Sequence, residues 1–254
     1  MSTIPASRWI DLDGAVNARV VAPGALLRAD NLQALSAADI RRLVGEHELE
    51  AVVDLRTGIE IAMEGPGPLT GVTEVRIEHR SLYPESGNTD LDADTVRPWG
   101  DALDGAFAGE TPVVRAYLGY LRRRPDSIVA AIRTIARADG AVLVHCAAGK
   151  DRTGVVVALA LEAAGANREA IVDDYLLTAE RIVEVMERLM GSPTYRAELE
   201  GHDPYDHAPV AGTMERVLAV VDAESGGAAA WLQGHGLADA DLAALRRRLA
   251  PAAG

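Results

Sequence analysis

The sequence predicts an α/β fold with a largely buried central sheet. Short β-branched runs alternate along the chain with longer segments of helical spacing, which is the pattern of sheet strands separated by helices. No internal repeat or low-complexity tract interrupts this alternation. The 254 residues are enough to bury one large core, and we therefore expect residues 1–254 to form a single domain.

The first half of the chain carries clear start and stop signals. Ser36, with Asp39 three residues later, predicts the N-terminus of a helix that turns Leu43 inward. The runs 50–56 and 72–82 are predicted strands. Residues 84–112 are rich in Pro, Gly, Asn and Asp, and they predict a long surface loop.

The second half is mostly helical, with one strand. Pro125 divides the helical spacing of residues 113–139 into two helices. A strand follows at 141–146, and an apolar helix then runs to Gly165, which predicts its C-cap. The remaining predicted elements are a helical segment at 167–192, a polar loop at 193–209 and two terminal helices.

Charge and composition exclude some functions. A net charge of −13 argues against a nucleic-acid partner, since such partners select basic surfaces. The arginine runs 122–124 and 246–248 are expected to be solvated helix faces or ends. No apolar run is long enough for a membrane-spanning helix, and no signal peptide is evident. The single cysteine suits a reducing compartment, which makes a cytoplasmic location the default expectation.

That cysteine, Cys146, lies between a predicted strand and a predicted helix. The connection includes Gly149, which permits backbone conformations closed to other residues, and Arg152, whose planar fork holds two oxygens at once. Backbone amides of such a loop, together with a helix N-terminus, bind phosphate or another tetrahedral oxyanion. The same field favours the thiolate form of Cys146, an accessible nucleophile that peroxide would oxidise. This chemistry needs no metal and no cofactor, and we expect none.

The stretch HCAAGKDRTG, residues 145–154, resembles the His-Cys-x5-Arg-Ser/Thr-Gly signature of the cysteine-dependent protein-tyrosine phosphatase superfamily. The segments LLRADNLQAL, VVDLRT with Glu60 following, and the C-terminal GGAAAWLQGHGLADADLAALRRRL are similar to the bacterial tyrosine-phosphatase family 3 within it. The resemblance implies a tyrosine-phosphatase-like fold, with about four to five mostly parallel strands flanked by helices. It also implies phosphomonoester hydrolysis through a cysteinyl-phosphate intermediate.

Carried over by resemblance, Cys146 is the nucleophile and Arg152 the phosphate clamp. The residues that supply the backbone cradle and substrate contacts are Ala147, Ala148, Gly149 and Lys150, with Thr153 assisting breakdown of the intermediate. Family members that contain AGKDRTG are linked to phosphotyrosine, phosphoserine/threonine and phosphoinositide substrates, and the resemblance implies that the positive charge of Lys150 contacts these anionic substrates. Secretion without a signal peptide occurs among relatives, and it is therefore the alternative to the cytoplasmic location expected by default.

The general acid has several candidates. The loop aspartate beside the arginine, Asp151, is preferred by resemblance, and the alternatives are Glu85, Asp90 and Asp101. A leaving alkoxide or phenolate needs a proton from one of them.

Other polar and aromatic residues near the motifs are expected to be structural. His145 is expected to shape the loop, and Arg56 and Glu60 to form a structural ion pair. Tyr175 and Tyr205 are expected to pack in the core or on the surface.

Two other functions remain as alternatives. A phosphate-binding module without catalysis would require loss of Cys146 or Arg152, and neither is lost. A rhodanese-like sulfurtransferase also uses a loop cysteine, but it needs neither Arg152 nor Thr153.

Overall fold

The computed structural model describes residues 6–85 and 107–249. The strands within these ranges are β1 Arg8–Trp9, β2 Arg19–Ala22, β3 Leu26–Ala29, β4 Leu49–Asp54, β5 Arg76–His79 and β6 Ala141–His145. They form one mixed sheet in the order β1-β2-β3-β6-β4-β5. Strands β3, β6, β4 and β5 are mutually parallel, whereas β1, β2 and β3 pair antiparallel. The predicted fold class is confirmed, with six strands among the described residues rather than four to five.

The additional strands come from an N-terminal hairpin that the sequence prediction lacks. Pro23 and Gly24 separate β2 from β3, Gly24 has a φ of +67°, and the amide of Ala25 donates to the carbonyl of Ala22 over 3.1 Å. Proline followed by a glycine of positive φ is what a type II turn requires. The register of the hairpin pairs Arg19 with Arg28 across the two strands.

Eleven α-helices flank the sheet within the described residues. They are α1 Ala37–Arg41, α2 Gly58–Glu64, α3 Pro112–Arg123, α4 Pro125–Arg137, α5 Asp151–Ala164, α6 Arg168–Leu176, α7 Ile182–Gly191, α8 Pro193–Leu199, α9 Ala211–Ser225, α10 Ala228–Gly234 and α11 Asp239–Leu249. A π-helical turn, Arg42–Glu46, extends α1, and 3₁₀ turns cover Pro68–Gly71, Leu177–Arg181 and Pro204–His207. None of the helices in the described ranges is both long and apolar enough to cross a membrane.

Local signals set several helix ends where the sequence predicts them. Ser36 and Asp39 form a reciprocal capping box at the start of α1. Pro125 is the first residue of α4, where its missing N–H costs no hydrogen bond. Gly165 ends α5 in the left-handed conformation, at a φ of +94°.

Two cores lie on opposite faces of the sheet, and β6 contributes to both. Val142 and Val144 belong to the larger core, which is formed with α3, α4, α5 and the C-terminal helices. Ala141 and Leu143 point to the other face, into a smaller core with the N-terminal segment and α1. This alternation follows from the two-residue period of a strand, and it buries β6 completely.

The carboxyl ends of the parallel strands meet at one edge. His145 at the end of β6 is in register with Asp54 at the end of β4 and with Ala29 at the end of β3. The loops that follow these strands therefore converge, and in open α/β sheets this is the edge at which ligands bind.

Candidate active site

The loop that follows β6 forms the floor of a pocket of about 100 Å³ at this edge. We call residues 146–152 the signature loop. Cys146, Lys150, Asp151 and Arg152 all line the pocket, so that the structure brings these four predicted site residues together. Cys146 is only 2 % exposed. The expectation of an accessible thiol is thus wrong in degree, because residues from α7 and α8 cover the pocket side of the loop.

Three carbonyl groups of the signature loop are held from outside. The donors are the amide of Asn31 to Ala147 (2.9 Å), the side chain of Asn17 to Ala148 (2.8 Å) and the guanidinium of Arg28 to Gly149 (2.6 Å). In a trans peptide the carbonyl and the following N–H point in opposite directions. The amides of the next residue in each case therefore point away from these donors, as an anion cradle requires.

Position 149 of the signature loop accepts only glycine. Its φ is +66°, and an added Cβ would lie 2.3 Å from the carbonyl oxygen of Ala29. Both the backbone conformation and the close approach to β3 require glycine. At Gly154 the missing side chain makes room for Tyr175 and Met214, which pack against the start of α5.

A buried ion cluster supports the loop from below. The carboxylate of Asp174, on α6, pairs with the guanidinium groups of Arg19 and Arg28 from the hairpin. Burial opposes the charge of Asp174, but the two cations together hold its pKa well below the ordinary value. Because Arg28 also binds the Gly149 carbonyl, the hairpin register fixes the loop.

Arg152 is oriented by Glu60, whose part the sequence reasoning missed. Nη1 and Nη2 of Arg152 donate to Oε2 and Oε1 of Glu60 over 2.6 and 2.8 Å. Glu60 Oε1 also accepts the hydroxyl of Tyr195, on α8, over 2.7 Å. Burial alone would raise the pKa of Glu60, but Arg152 lowers it to about 2. Burial likewise opposes the charge of Arg152, and Glu60 raises its pKa well above the ordinary value.

The expected ion pair of Arg56 with Glu60 is therefore wrong. Arg56 instead donates to Asp54, with its Nη2 2.6 Å from Oδ2. The reason is the helix boundary: Thr57 is the N-cap of α2, so that Arg56 precedes the helix, and helical i, i+4 spacing does not apply.

His145 is buried directly beside Cys146. Its Nδ1 donates to the carbonyl of Cys146 over 3.2 Å, and its Nε2 lies 3.7 Å from Asp54 Oδ2. Burial lowers the pKa of His145, even though the charge of Asp54 opposes this. These contacts are of the kind expected for a residue that shapes the loop.

Asp151 and Lys150 lie at the mouth of the loop. Asp151 Oδ1 accepts the hydroxyl of Tyr117 over 2.6 Å and lies 3.6 Å from Lys150 Nζ. Lys150 Nζ also donates to the carbonyl of His207 over 2.5 Å. Lys150 is the chain's only lysine among 25 basic residues, and it lies in the signature loop.

The other candidate acids are placed differently. Glu85 Oε1 accepts the amide of Gly58 over 2.6 Å at the start of α2, and Glu85 does not line the pocket. Asp90 and Asp101 lie outside the described residues. Thr153 is fully buried, and its Oγ1 has no hydrogen-bond partner in the part of the chain that the structure describes.

The pocket walls are mostly apolar and aromatic. Their side chains are those of Ile182, Val185, Met186, Leu189, Leu199, Tyr83, Tyr120 and Tyr195, and Glu198 and His207 are the polar residues that line the pocket beside the signature loop. Tyr175 is instead buried in the core and Tyr205 is 68 % exposed, as expected for packing and surface residues. An apolar wall above an anion cradle suits a phosphate carried on a hydrophobic group.

A family model described as "Tyrosine phosphatase family" matches residues 11–251. The chain belongs to the tyrosine phosphatase family. The predicted family is thereby confirmed. Because the match runs from before β2 to the end of α11, it includes both the signature loop and the hairpin that holds it.

Two relatives in this family are similar over most of the chain. The triple specificity protein phosphatase PtpB of Mycobacterium tuberculosis (strain ATCC 25618 / H37Rv) is 33% identical over an alignment of 203 residues, and the match covers 71% of this chain and 70% of the relative. A tyrosine-protein phosphatase of Nostoc commune is 29% identical over 248 residues, 94% of this chain and 78% of the relative. Among solved structures, P. aeruginosa TpbA matches at 16% identity and a TM-score of 0.39, covering 84% of this chain and 96% of its own.

Proposed function

We propose that this chain hydrolyses phosphate monoesters on proteins, as a tyrosine or dual-specificity phosphatase, with residues 1–254 acting as one phosphatase domain. The observation that carries the proposal is the signature loop, in which a nucleophile, a fixed guanidinium and inward amides surround one point. Membership of the tyrosine phosphatase family supports it. In the first step, the Cys146 thiolate attacks phosphorus in line, and an S–P bond forms while the ester P–O bond breaks.

Asp151 supplies the proton that the departing oxygen takes up. In the second step, the Asp151 carboxylate removes a proton from water, which attacks phosphorus. The S–P bond breaks, and inorganic phosphate and the thiolate are released. Arg152 and the loop amides stabilise the equatorial oxygens throughout.

The contacts of Arg152 indicate how it holds phosphate. Glu60 takes one N–H of each terminal nitrogen, and the Leu55 carbonyl lies 3.4 Å from Nη1. Among the residues that the structure describes, no acceptor is bound to the N–H of Nε or to the second N–H of Nη2, and these two groups point along the same side of the guanidinium. We therefore assign the phosphate to this side-on pair, which matches the spacing of two phosphate oxygens.

Hydrolysis of p-nitrophenyl phosphate in the presence of a chelator tests the proposal. We expect turnover by the wild type and at least about a 1,000-fold loss in Cys146→Ser, as for loss of other catalytic nucleophiles. Cys146→Ser should keep its Tm and still bind tungstate. Binding without turnover in the wild type would favour a phosphate-binding module, and sulfur transfer from thiosulfate to cyanide would favour a sulfurtransferase.

We further propose that phosphoinositides are substrates, with Lys150 contacting a second phosphate group. Its side chain lines the pocket, and an ammonium binds phosphate as a mobile point charge. The relative named a triple specificity phosphatase is compatible with a broad substrate range. Relative kcat/KM on phosphotyrosine peptide, phosphothreonine peptide and a phosphoinositide tests this. Lys150→Met should lower the phosphoinositide value selectively, by about tenfold, whereas Lys150→Arg should retain most of it. Equal losses on all three substrates would refute the assignment.

A further inference from the structure

The proposed acid, Asp151, is reached by a chain of two buried tyrosines. Tyr117, on α3, is fully buried, and its hydroxyl donates to Asp151 Oδ1 over 2.6 Å. The hydroxyl of Tyr175, on α6, lies 3.0 Å from the hydroxyl of Tyr117. Tyr117 has one hydroxyl proton and commits it to Asp151, so that Tyr175 must be the donor in the second contact. The two hydroxyls therefore form a directed chain that ends on one carboxylate oxygen.

Both contacts of Asp151 with neighbouring donors involve the same oxygen. Lys150 Nζ lies 3.6 Å from Oδ1, the oxygen that Tyr117 binds. Within residues 6–85 and 107–249, no hydrogen bond is formed to Oδ2. Asp151 lines the pocket, with 18 % of its side chain exposed. Oδ1 of the ionised carboxylate thus accepts the hydrogen bond from Tyr117, whereas Oδ2 is the oxygen that accepts none within those ranges.

We propose that Tyr117 is a positioning residue that keeps the transferable proton of Asp151 on Oδ2, the oxygen facing the leaving group. The inference rests on the proposed function, in which Asp151 is the general acid. When Oδ2–H protonates the departing oxygen, the new negative charge spreads to Oδ1, and the hydrogen bond from Tyr117 strengthens there. In this first step the proton passes from Oδ2 to the departing oxygen, and the negative charge that the leaving group would have carried remains on the Asp151 carboxylate.

Tyr117 is suited to this part because it remains a donor. Burial, reinforced by the charge of Asp151, raises the pKa of Tyr117 well above the ordinary value. The hydroxyl therefore stays protonated across the working pH range. The titratable or charged groups around Asp151 are Lys150 and Arg152 of the loop, Tyr120 on α3, Tyr175 on α6, Tyr83 before the undescribed segment, and His207.

Tyr117→Phe, measured with two substrates, tests the proposal. Phenyl phosphate has a poor leaving group that needs the acid, whereas p-nitrophenolate leaves readily as the anion. We expect kcat on phenyl phosphate to fall about tenfold, a part of the 10²–10⁴ that general acids contribute, and kcat on p-nitrophenyl phosphate to fall less than about twofold.

The same substitution in an Asp151→Asn background distinguishes positioning from structural support. If Tyr117 acts through Asp151, Tyr117→Phe has no further effect there. An equal loss on both substrates, or the same loss in both backgrounds, would overturn the inference. If Asp151→Asn itself leaves phenyl phosphate turnover unchanged, the acid assignment fails first, and the positioning inference falls with it.

Tyr175→Phe is the second variant if Tyr117→Phe proves unstable. It leaves Tyr117 in place and removes only the donor behind it. We expect the same selectivity for phenyl phosphate at about threefold, since the hydrogen bond to Asp151 is weakened and not lost. A loss that is identical on both substrates would count against the directed chain.

Discussion

Replacing Glu60 by Gln tests the energetic link between α2 and the signature loop. The carboxyl group of Glu60 is buried, and its pKa falls from 4.5 to about 2 through Arg152. Each pH unit between folded and unfolded pKa values corresponds to about 1.4 kcal/mol, so that the interaction contributes about 3 kcal/mol at neutral pH. Removal of one partner from a buried pair typically costs about 3–5 kcal/mol, which agrees with this magnitude.

The sign of the pH dependence follows from the lowered pKa. Glu60 stabilises the fold fully above its unfolded pKa of 4.5, and the contribution disappears as the pH falls toward 2. By pH 4, the wild type should have lost about 1 kcal/mol of this contribution. Glu60→Gln should therefore unfold with a free energy about 3 kcal/mol lower at pH 7, and the difference should narrow by about 1 kcal/mol at pH 4.

Urea unfolding at the two pH values measures both quantities, and kcat/KM on p-nitrophenyl phosphate reports the orientation of Arg152. We expect kcat/KM to fall about 10- to 100-fold, because the guanidinium loses its fixed direction. Glu64→Gln is the matched control: Glu64 is on the same helix but binds the hydroxyls of Ser192 and Thr194. A Glu60→Gln protein within 1 kcal/mol of the wild type at pH 7, with an unchanged pH slope, would refute the reasoning.

Three further predictions concern the loop and its cover. Gly149→Ala should lower the free energy of unfolding by about 2 kcal/mol or more and abolish turnover. Gly24→Ala is the control, because Gly24 has a similar φ but no atoms near its missing side chain; it should lower the free energy of unfolding by about 1 kcal/mol and leave activity intact. Equal losses in thermal unfolding would show that the contact with Ala29 is not decisive. Tyr195→Phe removes one hydrogen bond to Glu60 and should lower unfolding stability by about 1 kcal/mol, while the exposed Tyr205→Phe should not; no difference between them would argue against the Tyr195 contact. Peroxide should inactivate the enzyme with addition of oxygen at Cys146, and phosphate should slow this; full activity after treatment would contradict a thiolate there.

Local chemistry explains which parts of the fold the sequence predicts. The cap at Ser36, the break at Pro125 and the end of α5 at Gly165 each depend on a few adjacent residues, and all three are confirmed. The hairpin of β2 and β3 is missed although Pro23 and Gly24 signal its turn, because its strands are only four residues long. The short helix α10 also lies outside the predicted elements.

The residues of the candidate site likewise divide into those that a local motif predicts and those that only the folded structure brings together. Cys146 and Arg152 belong to one contiguous motif, so that the sequence alone brings them together. Glu60 and Tyr117 meet the loop from positions 92 and 34 residues away in the chain, and Asp174 acts on it only through Arg28, which lies 121 residues from Gly149. Their contribution depends on how the helices pack, which no local pattern encodes. The expected pairing of Arg56 with Glu60 shows the limit, because nearness in the chain does not decide which side chains pair in space.

The outward hydrogen bonds of the loop carbonyls have an energetic consequence. Amides that converge on one point carry positive ends that repel each other, and folding holds them together through Asn17, Asn31 and Arg28. A tetrahedral anion that enters the loop relieves this repulsion, because its negative charge interacts with all of the converging amides at once. Inorganic phosphate or tungstate should accordingly raise the melting temperature of the whole protein, so that a thermal-shift titration measures anion binding by the loop apart from the hydrolysis of a substrate.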